Sequence, residues 1–196
     1  MRARIALISV IATLACRSAI ASPSWTSEVQ EAVQTHTATA PSTRENWHAF
    51  SPDGIGMPLV MFGVYSAHQS IHMLAYVLTY RPLLEALAQK ARNGVVVAVV
   101  VDYNENIAND RDGYIQRGLS YLARSGATVC ATDQYKIMHD KDMVLDGRSI
   151  QTGSINYTKD GTFSNSEDAV IEWNDTAGAA EFEQHFQSRL ATCRPI

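Results

Sequence analysis

The sequence predicts an α/β fold in which a mixed β-sheet is flanked by helices on both faces. The chain of 196 residues is 46% hydrophobic and 18% charged, which suits one domain with a full core. Strand and helix patterns alternate along it. The seven-residue apolar run Val95–Val101, rich in valine, is typical of a strand buried on both faces. This composition excludes collagen-like, disordered and multi-span membrane classes, and three cysteines are too few for a disulfide-dense scaffold.

The amino terminus has the features of a secretory signal. Two arginines precede the apolar run Ile5–Ala15, and Ala19–Ala21 supplies a small-x-small cleavage site. The run is too short to cross a bilayer, which takes roughly 20 apolar residues. We therefore predict a signal peptide over residues 1–21 and a periplasmic or secreted mature protein without stable membrane insertion. The alternative is a lipoprotein cut before Cys16, although Thr13 stands where such a site usually has leucine.

Charge and cysteines constrain the mature chain. Removal of residues 1–21 takes away three arginines and no acid, so the formal charge falls from −4 to −7. An exported enzyme acting on a polyanion must then concentrate its positive charge locally.

Cys130 and Cys193 are the only cysteines left in the mature chain. They either pair in an oxidising compartment or stay as two buried thiols, and the sequence leaves both alternatives open.

The order of elements follows from local patterns. Residues 22–46 are rich in Ser, Thr, Ala and Gln, which predicts a tether or a poorly packed helix before a domain over residues 47–196. Trp47–Phe50 predicts a short strand, ended by the turn Ser51–Gly54. The elements predicted next are, in order, a helix over Pro58–His68, a strand over Ile71–Val77, a helix opened by Arg81-Pro82, the valine strand, a helix over Asp112–Arg124, strands at Thr128–Ala131, Met143–Leu145, Ser149–Thr152 and Asp168–Trp173, and a helix over Ala177–Leu190. The polar stretch Asn104–Asn106 is interpreted as a solvated turn, with the border of a cleft as the alternative.

A short motif carries the chemistry. His139, Lys141 and Asp146 form the pattern H-x-K-x-x-x-x-D. In a strand, residues two apart project to the same side, so His139 and Lys141 can face one cleft. A lysine cation beside an imidazole disfavours the imidazolium form and keeps a neutral, nucleophilic ring nitrogen.

A second motif follows it. Gly153 lets the backbone approach closely, while Ser154 and Asn156 add short polar donors. With the first motif, these are the groups needed to bind a phosphate and to attack its phosphorus.

The two motifs resemble those of the phospholipase D superfamily, and the single copy is similar to its small bacterial endonuclease branch. The resemblance runs from about Trp47 to Leu190. It implies that His139 attacks phosphorus and forms a covalent phosphohistidine. It also implies that Lys141 and Asn156 bind the non-bridging oxygens, with Ser154 assisting.

The same resemblance assigns two acids. Glu167 would accept a hydrogen bond from the far ring nitrogen of a motif histidine, which makes it the fourth catalytic candidate. Asp146 would be structural and bonded away from the phosphate.

The number of histidines predicts a dimer. A covalent histidine mechanism needs a second imidazole to protonate the leaving oxygen and then to activate water. No other histidine has a lysine two residues on; the others are His36, His48, His68, His72 and His185. The simplest solution is a symmetric homodimer whose two His139 side chains meet at the two-fold axis.

No metal or other cofactor is predicted. His68 and His72 have a spacing that could hold zinc on a helix, but their segment has a strand pattern. Acids beside His139 could suggest a metal-dependent nuclease. Strand alternation turns Asp140 and Asp142 away from His139, however, so we expect them to be solvated or to lie behind the site.

The leading hypothesis is an exported, metal-independent endonuclease that hydrolyses DNA without sequence preference, with RNA as a further candidate substrate. The alternative is a phospholipase D acting on phospholipid headgroups, against which the mature chain has no long apolar lid or membrane-binding helix. A third alternative is a catalytically silent protein that binds nucleic acid or another surface. Pure binding would not need His139.

Overall fold

The computed structural model describes residues 23–196, which form one eight-stranded mixed sheet with helices on both faces. The strands are β1 Glu45–Ser51, β2 Ser70–Ala75, β3 Val96–Asp102, β4 Thr128–Thr132, β5 Lys141–Leu145, β6 Ser149–Gly153, β7 Glu167–Trp173 and β8 Arg194–Pro195. The helices are α1 Thr26–Thr35, α2 Gly56–Ser66, α3 Arg81–Arg92, α4 Tyr114–Arg124, α5 Lys159–Phe163 and α6 Thr176–Leu190, with a π-helical turn over Asn104–Ala108. The predicted fold class is confirmed.

The strand order places several chain ends at one edge of the sheet. The order is β1-β7-β6-β5-β2-β3-β4-β8, with β2, β3 and β4 parallel and the other pairs antiparallel. Ala75, at the end of β2, pairs with Lys141, at the start of β5. Gly153, at the end of β6, pairs with Ala169, near the start of β7. The edge at which β2, β3 and β6 end and β5 and β7 begin is called the site edge below.

Two apolar layers hold the sheet. Helices α1 to α4 cover one face, where the main core includes the fully buried side chains of Leu59, Leu87 and Leu119. Helix α6 covers the other face, where Phe186 packs against Leu74 and Val100 of the central strands. The valine strand β3 is buried on both faces as its sequence predicts, except for Val96, which is exposed.

The segment before β1 is more ordered than a tether. Helix α1 packs against α2, and its Val29 and Ala32 are buried. Trp25 stacks on Trp47 of β1, with ring centroids 4.9 Å apart. The few apolar residues of this weakly periodic stretch fall on one side of the helix, which the overall polarity of the segment obscures. The signal-peptide and lipoprotein predictions concern residues outside the described part of the chain.

A disulfide joins Cys130 of β4 to Cys193, which lies between α6 and β8. The Cα atoms are 5.6 Å apart. Of the two alternatives that the sequence leaves open, the structure has the bonded one. Between residues 23 and 196, no helix is long and apolar enough to cross a membrane.

Candidate active site

The site edge brings the predicted catalytic residues to one region. His139 lies in the loop just before β5, and Lys141 is the first residue of that strand. Asn156 follows β6, and Glu167 begins β7. Because these strands are neighbours in the order β7-β6-β5, residues far apart in sequence converge at one edge.

His139 and Lys141 are in direct contact. The Lys141 ammonium lies 3.2 Å from His139 Nδ1 and donates to the His139 carbonyl oxygen at 2.7 Å. The Tyr76 ring packs on His139, with centroids 4.6 Å apart, and lies 5.2 Å from the lysine nitrogen. His139 itself is exposed, whereas Lys141 is buried. Burial lowers the pKa of Lys141, while the nearby carboxylates of Glu167 and Asp140 oppose that change.

Glu167 and Ser154 form a pair beside the lysine. Ser154 Oγ donates to Glu167 Oε2 at 2.5 Å and accepts from the Asp168 backbone N–H at 3.0 Å. Asn165 donates to the other oxygen of Glu167 at 3.0 Å. Among the described residues, Glu167 makes no hydrogen bond to the His139 ring. In this arrangement the hydroxyl of Ser154 positions Glu167.

Asn156 has a side chain available to a ligand. Its Oδ1 is buried and has no hydrogen-bond partner among the described residues. Its Nδ2 donates no hydrogen bond to the described residues either, and as the donor of the amide it is the atom that can bind a phosphodiester oxygen.

The close approach of β6 to β7 requires a glycine at Gly153. It has a φ of +151°, and a Cβ placed there would lie 2.2 Å from the Asp168 carbonyl oxygen. Any side chain would push β6 away from β7 and separate Ser154 from Glu167. Gly153 also lines the cleft beside His139.

Asp146 lies at the opposite end of β5 from Lys141. Its carboxylate accepts backbone N–H bonds from three consecutive residues, His68, Gln69 and Ser70, at 2.7 to 3.0 Å. These contacts fix the turn that leads into β2, the strand paired with β5. The carboxylate thus has a structural task away from the site edge.

Asp102 is a functional residue that sequence reasoning missed. It ends the valine strand, is 1% exposed, and its Oδ2 accepts from the Met138 backbone N–H at 2.8 Å. Its Oδ1 accepts from the Glu105 N–H at 3.0 Å. The carboxylate therefore fixes the residue just before His139. An acid that directly follows a buried valine run was the available signal.

Asn106 corrects the interpretation of the stretch Asn104–Asn106 as a solvated turn. It is fully buried, and its Nδ2 donates to the carbonyl oxygens of Tyr76 at 2.6 Å and Asp102 at 2.8 Å. Its Oδ1 accepts from the Leu78 N–H at 3.2 Å. The stretch curls into a π-helical turn because this amide satisfies three buried backbone groups. Asn106 thereby holds Tyr76 against His139.

Asp140 and Asp142 face helix α6, on the other side of β5 from Lys141. Asp140 Oδ2 lies 3.2 Å from His185 Nε2 and 4.0 Å from Arg189 Nε. Asp142 is only 5% exposed, and its Oδ1 has no hydrogen-bond partner among residues 23–196. Asp142 is therefore buried rather than solvated, and both acids line the same cleft as His139 and Lys141. Burial, with a smaller contribution from Asp140, raises its pKa from 3.8 to about 7.

His68 and His72, the two histidines whose spacing could hold zinc on a helix, make other contacts. His72 Nδ1 lies 2.7 Å from Glu183 of α6, and its ring stacks on Phe186. His68 is exposed, and only its backbone is bonded to Asp146. In the described part of the chain, no three His, Cys, Asp or Glu side chains are grouped as metal ligands.

The fold and this histidine-lysine site define a class of phosphodiesterase-type α/β proteins, and comparisons with known proteins identify the family. Residues 64–190 match the family described as cardiolipin synthase, PLD-like domain. The chain belongs to this phospholipase D-like family.

Solved structures agree. The phospholipase D family member Nuc from Salmonella typhimurium is 32% identical with a TM-score of 0.74, covering 79% of this chain and 99% of that one. NucT from Helicobacter pylori is 23% identical with a TM-score of 0.68, covering 79% and 100%. Phosphatidylserine synthase from Haemophilus influenzae is 11% identical with a TM-score of 0.60, covering 80% and 41%, and shares the fold alone. No curated protein matches the chain significantly in sequence.

Proposed function

We propose that this protein is an exported, metal-independent endonuclease that hydrolyses DNA, with RNA as a further substrate, through a covalent phosphohistidine on His139. The observation that carries the proposal is the contact between the exposed His139 imidazole and the buried Lys141 ammonium. An accessible nucleophile beside a fixed cation suits attack on an anionic phosphodiester.

The first chemical step forms a nitrogen–phosphorus bond. When a phosphodiester enters, the Lys141 ammonium turns from His139 Nδ1 to a non-bridging oxygen, and Asn156 donates to the phosphate with its free amide. The single proton of the neutral imidazole, which sits on Nε2 while Lys141 faces Nδ1, exchanges through solvent to Nδ1, and the freed Nε2 attacks phosphorus. The bond from phosphorus to the leaving oxygen breaks as the new bond forms. Glu167, once its side chain reaches the Nδ1 proton, stabilises the positive charge on the ring.

The second imidazole comes from a second copy of the chain. His139 of the partner subunit, protonated, gives its proton to the leaving alkoxide and then accepts one from the attacking water, which breaks the nitrogen–phosphorus bond. Two features support a symmetric dimer at the site edge. The His139 ring is exposed rather than enclosed by its own chain, and the neighbouring Ile137 is an apolar side chain that is 49% exposed.

A dimer also concentrates positive charge. Two Lys141 side chains would meet near one phosphate, in a mature chain whose formal charge is −7 if the signal is removed. Like-charged lysines near a phosphate offset the repulsion that the acidic exterior exerts on a polyanion.

Export is proposed on two grounds. The first 21 residues have the charge, the apolar run and the cleavage site of a secretory signal. The Cys130–Cys193 disulfide suits an oxidising compartment, since cytosolic thiols are kept reduced.

The test is incubation of the purified mature protein with plasmid DNA in excess EDTA. We expect nicking and then degradation, both abolished in His139→Ala. The matched control is His185→Ala, which removes another imidazole that lines the cleft and should leave His139 chemistry in place. Intact plasmid together with cleavage of phospholipid headgroups would refute the nuclease assignment and favour a phospholipase D. Cleavage by His139→Ala at the wild-type rate would refute the assignment of His139 as the nucleophile.

A further inference from the structure

We propose that the groove between α3 and α4 binds an unpaired stretch of the polynucleotide that continues from the site edge. In this groove Tyr114 provides a stacking surface for a base, and Arg117 contacts the backbone phosphates. The inference rests on the proposed function and adds a strand-binding subsite to it.

The groove begins next to the site edge. Helices α3 and α4 follow the parallel strands β2 and β3, so both helices start at the edge where those strands end. Tyr76 packs on His139, and Thr79, three residues on, lines the groove. Three extended residues span at most about 11 Å. The groove therefore begins within about one or two nucleotides of the region held by His139.

The groove has the shape and lining of a site for flat rings. It encloses about 330 Å³, and apolar side chains, among them Leu84 and Ile115, line it. A Cβ at Gly118 would lie 3.0 Å from Leu84 Cδ1, so a glycine here lets the two helices approach closely. Tyr114 is 54% exposed, and Tyr121, seven residues on along the same helix face, is 37% exposed. Exposed tyrosines beside an apolar groove offer π-faces to a partner.

The charge of the groove is opposite to that of the mature chain. Its charged lining consists of Arg81, Arg117 and Glu85, which gives a positive excess. The Arg81 side chain is 80% exposed and pairs with Glu85. Among residues 23–196, the hydrogen bond of the Arg117 guanidinium goes to the Asp112 carbonyl oxygen, at 2.8 Å, and no carboxylate pairs with it. Its positive charge is therefore available to a phosphate.

An unpaired polynucleotide fits these features better than a duplex. Stacking on tyrosine requires a base that is free of its partner strand, and cations that track the backbone beside aromatic rings are the usual means of binding single strands. Stacking accepts any base, so a subsite of this kind would add no sequence preference to cleavage.

The experiment compares a substrate that reaches only His139 with one that also reaches the groove. The first is bis(p-nitrophenyl) phosphate, and the second is an unstructured 20-nucleotide DNA. Binding of the same DNA is measured by fluorescence anisotropy in the His139→Ala background, which separates affinity from cleavage. The variants are Tyr114→Ala, Tyr114→Phe and Arg117→Ala. The control is Tyr135→Ala, which removes a tyrosine that is 38% exposed and contacts Arg189 instead of the groove.

We expect Tyr114→Ala to weaken DNA binding about 5- to 150-fold, since stacking on an aromatic side chain contributes about 1–3 kcal/mol per base. Tyr114→Phe should restore most of the affinity, and Arg117→Ala should reduce the slope of log affinity against log salt by about 0.7. Hydrolysis of bis(p-nitrophenyl) phosphate should stay within about twofold of wild type in all three.

Two results would overturn the groove assignment: unchanged DNA affinity in Tyr114→Ala and Arg117→Ala, or equal losses on both substrates. If the wild type hydrolyses neither substrate, the proposed function fails. The anisotropy series still decides the groove in that case.

Discussion

The buried carboxyl of Asp142 makes the free energy of unfolding of this protein depend on pH. The carboxyl is 5% exposed, and its burial raises the pKa from 3.8 to about 7. A shift of about 3 units corresponds to about 4 kcal/mol, because each unit is worth 1.36 kcal/mol. Between pH 4 and pH 7 the folded state binds more protons here than the unfolded state does. This group therefore lowers the free energy of unfolding as pH rises through that window, and its effect is constant above pH 7.

The perturbation is Asp142→Asn, which removes the charge and keeps the shape. The variant should exceed wild type in the free energy of unfolding by up to about 4 kcal/mol at pH 8, and that advantage should shrink by about 3 kcal/mol at pH 5. Urea titration followed by circular dichroism measures both values. Asp140→Asn is the comparison variant, since Asp140 directly precedes β5, is paired with His185, and supplies only the smaller contribution to the raised pKa of Asp142. A difference in the free energy of unfolding between Asp142→Asn and wild type that does not change with pH would show that the pKa of Asp142 is not raised.

Further predictions follow from individual contacts. Asp102→Asn should lower kcat/KM on plasmid DNA about 10- to 100-fold because it loosens the residue before His139; wild-type kinetics would contradict this positioning role. A 1:1 mixture of wild type and His139→Ala, after subunit exchange, should retain about a quarter of the activity if each site uses both protomers, whereas half would indicate independent sites. Cys193→Ser should lower the free energy of unfolding by about 4 kcal/mol in the loop-entropy estimate, given a separation of 63 residues between the cysteines. Equal denaturation midpoints of oxidised wild type and Cys193→Ser would refute that estimate.

Much of the fold follows from the sequence because the strands carry strong local patterns. The valine run predicts β3, and the alternation of apolar patterns predicts the helices that cross between parallel strands. Helix α1 is harder to predict because its apolar residues are few, and only the contact with α2, which buries Val29 and Ala32, shows that they form a packed face. Strand order itself has no local signal.

The residues of the site also fall into those that the sequence predicts and those that it does not. His139, Lys141 and Asn156 are predictable because their chemistry and spacing are distinctive. Asp102 and Asn106 are not, since each acts through backbone groups that lie far away in sequence, such as the Met138 N–H and the Tyr76 carbonyl. Strand alternation correctly separated Asp142 from Lys141, but it could not predict that helix α6 would bury the carboxylate.

In the proposed mechanism, His139 forms a covalent bond to phosphorus. Mass spectrometry of the protein after rapid alkaline quenching, during turnover of a short DNA oligonucleotide in EDTA, tests this most directly. We expect a nucleotidyl adduct on the peptide that contains His139, absent from His139→Ala. Continued cleavage with no adduct at any quench time, or an adduct on another residue, would contradict this mechanism.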